Sequence, residues 1–283
     1  MGGRGAVTNA MTNSEPTRPD AVRRPTLDEA ANVLERAIPR VTALVRDVPS
    51  GALRVPHLEW TIAETAAHLW SGVTMCTGLL EGRSHPWPDS DSRAKTNAAI
   101  IAEIQERDPT ALAALIERDA PAMAATFRAY GAKPISYVFG TPASATTALA
   151  GIATEFLIHG WDIAQSVGVP WPIAPADAIV ITRAGCEVWP MFVAPGAANF
   201  QGTYEFSLRG GPIITMSFSE GRLTVGEGKA TRPDCRISAN PSSLLLSFYG
   251  RLGLWSPALK GQMLAYGRKP WLALRLPSLL RQP

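Results

Sequence analysis

Cysteine is scarce in this chain and badly placed for pairing. Cys76, Cys186 and Cys235 are odd in number, far apart and form no CxxC pair, so no disulfide framework can be drawn and a reducing cytoplasm is the expected location. Charge is thin as well: 18% of residues are charged, the net charge is +3 and no basic run exceeds two residues. That excludes the concentrated basic face on which nucleic-acid binding depends. No stretch approaches the roughly 20 uninterrupted apolar residues of a membrane span. The first 25 residues are rich in Gly, Thr, Pro and Asn and lack the apolar core of a signal peptide. They read as a disordered leader, within which Met11 is a candidate start. Histidine is scarce too, with four in the whole chain.

What is present is apolar and periodic. A hydrophobic fraction of 46% over 283 residues supports a substantial core and suffices for two domains. From Thr26, apolar residues recur at three- and four-residue steps, with Pro39 expected to kink or split the first helix. Thr61 followed by Glu64 reads as a capping box, so a second helix should start there and run to about Leu80, with Gly82 as its stop. Further helices are expected in "RAKTNAAIIAEIQERD", in "TALAALIERDAPAMAATFRAYG" and in "ASATTALAGIATEFLIHGWDIAQSVG". Residues 26–170 therefore read as an all-α bundle. After "VPWPIAP" and one more helix the pattern alternates, in "YEFSLRGGPIITMSFSEGRLTVGEG", with Gly210-Gly211 and Glu220-Gly221 as hairpin turns. "DCRISAN" offers another strand, and the tail reads as helices broken by Gly and Pro. Residues 171–283 thus form a small α+β domain.

One polar pair stands out in the apolar fifth helix. Glu155 and His159 are four residues apart, hence about 40° apart in azimuth and about 6 Å apart along a helix axis. They can be a hydrogen-bonded core pair, or half of a site for a divalent metal, which takes histidine nitrogen and carboxylate oxygen. A metal would need a third ligand. His57 and His85 lie in proline-flanked loops, whereas His68 lies within the helix opened by the capping box, and a helix-borne histidine can face a pair on a neighbouring helix. Asp162 can hold a ligand histidine by its second nitrogen or bond to a neighbouring helix. Cys76 roughly shares the face of His68 and reads as a buried, inert thiol.

The segments "LEWTIAETAAHLW" and "EFLIHGWDIAQSVG" resemble the DinB-like superfamily, specifically the actinobacterial mycothiol-dependent maleylpyruvate isomerase family. The residues that carry this are Trp60, His68-Leu69, Glu155, His159, Trp161, Asp162 and Gly168. "SPALKGQMLAYGRKPW" resembles the SCP2-like domain that often follows. The resemblance implies a DinB-like four-helix bundle with a divalent metal, usually zinc, on His68, Glu155 and His159. It also implies a low-molecular-weight thiol such as mycothiol as cofactor and a small electrophilic substrate. Such a site supports isomerisation or S-transfer alike. An arginine from the C-terminal part would meet an acidic substrate; of Arg251 and Arg268 the expectation falls on Arg268, the alternative being a surface arginine in a Gly/Pro-rich turn. Two other readings stay open: a non-catalytic carrier of a lipid or apolar ligand through the SCP2-like domain, and a non-haem iron oxygenase using the same three ligands.

Overall fold

In the computed structural model, residues 20–253 and 255–281 are described. Helix α1 (Leu27–Asp47) starts at a reciprocal cap: the Glu29 N–H donates to the Thr26 hydroxyl at 3.1 Å, and the Thr26 N–H to the Glu29 carboxylate at 2.7 Å. Thr61 and Glu64 repeat the device at the head of α2 (Ile62–Leu80), as the sequence predicts. Then come α3 (Arg93–Glu103), α4 (Pro109–Tyr130) and α5 (Ala145–Val167), the last ended by Gly168 in the left-handed region at φ +70°. The expected connector between α4 and α5 folds into a short hairpin, β1 (Pro134–Ser136) with β2 (Pro142–Ser144). Pro39 does not split α1: Leu34 and Ile38 on one side of it and Val41 and Val45 on the other are all buried, so tertiary packing holds both halves in one helix.

Helix α1 packs on α4 and α5, and α2 packs on the same two, which makes a four-helix bundle with α3 laid beside α2. Its core includes Leu34, Ile62, Leu69, Leu112, Phe127 and Phe156, all fully buried. Each such side chain stabilises the fold by about 1.5–3 kcal/mol. Helix α6 (Pro175–Gly185) leads from α5 to a second layer. There β3 (Gly202–Leu208), β4 (Ile213–Ser219), β5 (Arg222–Glu227), β6 (Cys235–Ala239) and β7 (Met263–Tyr266) form one sheet in the order β5-β4-β3-β6-β7. Only β3 and β6 pair in parallel, with Tyr204 opposite Cys235. The β4–β5 turn places Glu220 at φ +53° and Gly221 at φ +71°, the two positive values that a tight hairpin of this hand demands. Helix α7 (Pro241–Phe248) joins the layers, with Leu244 in the sheet core and Leu245 in the bundle core.

Two expectations need revision. The tail is not purely helical, because Met263–Tyr266 adds an edge strand. Its outward residues, Leu264 and Tyr266, are as apolar as its inward Met263, so period-2 alternation leaves no mark in the sequence. Of the expected leader, residues 1–19 lie outside the described residues. Residues 20–25 reach the sheet, where the Glu227 N–H donates to the Asp20 carbonyl at 2.9 Å and the Arg23 N–H to the Glu227 carboxylate at 3.0 Å.

Candidate metal centre

Helices α2 and α5 carry the buried His68 and His159, and Gly72 lets these helices approach. A Cβ at Gly72, one turn beyond His68, would stand 2.8 Å from Ile152 Cδ1 on α5. A Cβ at Gly160, next to His159, would meet the Trp171 ring at 2.3 Å; that ring is fixed by its Nε1–H donating to the Leu157 carbonyl at 3.0 Å. Glycine is the residue that permits backbone contact this close.

With the helices so placed, His68, Glu155 and His159 converge. Glu155 Oε2 lies 3.2 Å from His68 Nε2 and 3.0 Å from His159 Nε2, and the three donor atoms all fall within 4.8 Å of one another. The Trp60 ring packs on both imidazoles, at 4.9 and 6.1 Å between centroids. Two nitrogens and a carboxylate oxygen aimed at one point, on two rigid helices, suit a divalent metal that keeps an open position. His159 Nδ1 bonds to Asp162 Oδ2 at 3.0 Å, which orients the ring and leaves Nε2 for the centre. Asp162 is fully buried and receives Arg251 as a fork, Nε to Oδ1 at 2.9 Å and Nη2 to Oδ2 at 2.7 Å.

The titration of the group follows from its burial and pairing. Burial pushes the Glu155 carboxyl up, but the hydrogen bonds from His159 and His68 outweigh it and hold the group well below the usual carboxylate range. Burial dominates at His68 and pushes it down; at His159 burial is overcome by Asp162 and Glu155, which raise the imidazole to about 9. Without metal, the cluster is an ion pair of His159 with Glu155 beside a neutral His68.

Two spaces of unlike character meet at this cluster. An inner cavity runs between α2, α5, the β1–β2 hairpin, α6 and α7, with Cys76, His85 and Tyr137 among its walls. An outer cleft is lined by His57, Glu59, Trp60, Asn97 and Arg251. His68, Glu155, Trp87, Arg93 and Tyr249 border both. Of the residues singled out in the sequence, His57 and His85 thus border the site without joining the three. Cys76 is buried and its thiol is pushed up to about 12 by burial, in keeping with an inert role. Arg268 faces Asp234 at 3.6 Å beside Lys269 and lines neither space; the C-terminal arginine at the centre is Arg251. Asp162 bonds to His159 and, in place of a neighbouring helix, to Arg251 in the turn after α7. Sequence reasoning passed over Tyr137 and Tyr249, which lie 18 residues before and 94 after Glu155 and give no local signal.

Residues 34–164 match the mycothiol maleylpyruvate isomerase N-terminal domain, and residues 193–267 match the SCP-2 sterol transfer family. The helical part is therefore a mycothiol maleylpyruvate isomerase N-terminal domain, and the sheet part an SCP-2 domain. Among solved structures, the chain resembles the mycothiol-dependent maleylpyruvate isomerase with a TM-score of 0.54 at 15% identity, over 81% of this chain and 90% of that one. A histidine-to-alanine mutant of the mycothiol-dependent maleylpyruvate isomerase aligns with the same TM-score at 14% identity, over 85% of this chain and 93% of that one. These likenesses establish the shared fold, an isomerase-type bundle followed by an SCP-2 sheet. No curated protein matches the sequence. Among the described residues, no helix is long and apolar enough to cross a membrane.

Proposed function

We propose that this chain is a metal-dependent enzyme that activates a low-molecular-weight thiol of the mycothiol type. The thiol would serve to isomerise a small electrophile or to form a conjugate with it. In this reading residues 26–170 hold the metal, zinc being the metal that suits the donors best, and residues 171–283 complete the substrate space. The observation that carries it is the convergence of His68, Glu155 and His159; the matched domain and the shared fold add to it.

A divalent metal bound there supplies a Lewis acid that lowers the pKa of a thiol. The protein's own residues supply the rest. Asp162 keeps His159 in the tautomer whose Nε2 faces the centre, and Arg251 keeps Asp162 ionised despite burial. Trp60 covers the imidazoles and limits water on that side. The carrier reading has against it that the SCP-2 sheet core is filled by its own Tyr204, Phe206 and Phe218. The oxygenase reading shares the ligands and is separated by the metal. The experiment is metal analysis of purified protein, then a thiol-dependent assay with electrophilic alkenes. One zinc per chain and product formation that requires the thiol are expected; iron with oxygen-dependent turnover, or no metal at all, would overturn the proposal.

A further inference from the structure

The inner cavity says which electrophile this site takes. Its walls are mostly apolar: Met75, Val138, Ile152, Ile181, Val188 and Phe192. Its hydroxyl groups are partly committed, Thr147 to the Glu187 carboxylate and Thr154 to the Ala150 carbonyl at 2.7 Å. Among the described residues Arg93 is its sole cation, at the border with the outer cleft, while Arg251 lines the cleft alone and is spent on Asp162. A dicarboxylate entering here would lose its hydration against apolar carbon with Arg93 as the one cationic side chain among the described residues that line the cavity, which costs several kcal/mol per unpaired charge.

Two neutral donors stand side by side in the wall, His85 and Tyr137. His85 is 9% exposed, and its Nδ1 accepts the Trp87 backbone N–H at 3.3 Å, so the ring proton sits on Nε2. Burial pushes this imidazole down to about 4 and keeps it neutral. Tyr137 lies edge-on to His85, 5.7 Å between centroids, and its hydroxyl occupies the space left by Gly151, where a Cβ would stand 2.2 Å from Oη. Burial holds that phenol protonated.

We propose that the inner cavity holds the electrophile and selects an uncharged, apolar molecule with an alkene conjugated to one carbonyl, whose oxygen accepts from His85 Nε2–H and Tyr137 O–H. The outer, polar cleft is left to the hydrophilic thiol. This assignment rests on the thiol-dependent reading above. In the step it serves, the thiolate sulfur bonds to the carbon β to the carbonyl, the alkene π pair shifts to between the α-carbon and the carbonyl carbon, and the C=O π pair moves onto the oxygen. His85 and Tyr137 meet the charge that develops there. The proton given up by the thiol then goes to the α-carbon, leaving a conjugate. Alternatively, the pair returns after rotation about the new single bond, the C–S bond breaks and the isomer leaves with the thiol restored.

The test is binding to the full-length, metal-loaded protein without thiol, read by tryptophan fluorescence and calorimetry. The probes are 4-phenylbut-3-en-2-one, β-methylstyrene as its carbonyl-free analogue, and fumarate. The ketone is expected to bind at least about tenfold tighter than fumarate. Tyr137→Phe should weaken the ketone about three- to tenfold and leave β-methylstyrene unchanged. Val188→Arg, at a half-buried wall position, should narrow the preference toward fumarate, and Met75→Trp, which fills the cavity, should exclude both apolar probes while thermal melts report folding. Fumarate binding as tightly as the ketone, or Tyr137→Phe weakening both apolar probes alike, would overturn the proposal. Thiol-dependent turnover is measured separately: ketone binding with these preferences but without thiol-dependent product defeats the enzyme reading and spares the cavity assignment, whereas thiol-dependent turnover of fumarate in preference to the ketone defeats the cavity assignment alone.

Discussion

The bundle and the sheet domain contribute to the centre in different ways. The three candidate ligands come from α2 and α5 alone, two capped helices that pack directly on each other. Among the described residues, the sheet side reaches the outer cleft through Tyr249 and Arg251, in the turn after α7. Ligand geometry is thus a property of one rigid unit, while the walls around it depend on how two units meet. Metal binding and substrate handling should separate under mutation.

The largest effect falls within the bundle. His159→Ala removes a ligand and leaves Asp162 with Arg251 and Glu155 with His68; bound metal should fall from about one ion per chain to a trace, and thiol-dependent activity with it. Metal analysis after desalting checks this. If His159→Ala or His68→Ala retained full metal, the centre would lie elsewhere and the contrast between the two units would collapse.

Next comes a buried ion pair between the units. Arg251→Ala leaves Asp162, fully buried, with His159 as its only charged partner, and breaking a buried pair on one side costs about 3–5 kcal/mol. Urea unfolding should show that loss while metal content stays near the wild-type value. Replacing both, as Asp162→Asn with Arg251→Met, should recover part of the stability but loosen His159, at a cost of about 10–100-fold in metal affinity.

The two units also differ in how much of them the sequence reveals. Capping boxes, helical periodicity and the i,i+4 spacing of Glu155 and His159 are local, so the bundle and its candidate ligands were legible. Strand β7 was not, because apolar residues on both faces erase its alternation. The Asp162–Arg251 pair spans 89 residues, and its meaning depends on the docking of α7 against the bundle, which no short window records. The division into an inner and an outer space has the same origin: Tyr137 reaches it from a hairpin and Tyr249 from the turn after α7.

A smaller effect distinguishes two histidines by pH. The folded-state pKa of His85 is depressed from 6.5 to about 4. Its contribution is therefore complete above the unfolded value near 6.5 and lost as pH falls toward 4. At about 1.4 kcal/mol for each unit, the full loss is about 3–4 kcal/mol. His159 has the opposite sign in metal-free protein: raised to about 9, its contribution is complete below 6.5 and lost as pH rises through 9. His85→Gln should flatten the stability profile between pH 4 and 6.5 and leave the alkaline limb unchanged. An unaltered acid limb would place His85 in a more solvated setting than its 9% exposure indicates.

The smallest effect tests two arginines that the sequence presents almost identically. Arg251 follows "FYG" and Arg268 follows "AYG", and in both turns the glycine takes a positive φ, +71° at Gly250 and +102° at Gly267. Their surroundings differ. Arg251 is 13% exposed and clasps a carboxylate with no exposure, whereas Arg268 is 45% exposed and shares Asp234 with Lys269. Surface pairs of that kind contribute about 0–1 kcal/mol, and here Lys269 remains to hold Asp234. Arg268→Ala should therefore change stability by less than about 0.5 kcal/mol and leave metal content, KM and kcat where they were. A fall in kcat for Arg268→Ala with metal intact, alongside normal kinetics for Arg251→Ala, would instead mean that the sheet domain serves the centre from its outer turn, and that the interior clasp on Asp162 is structural only.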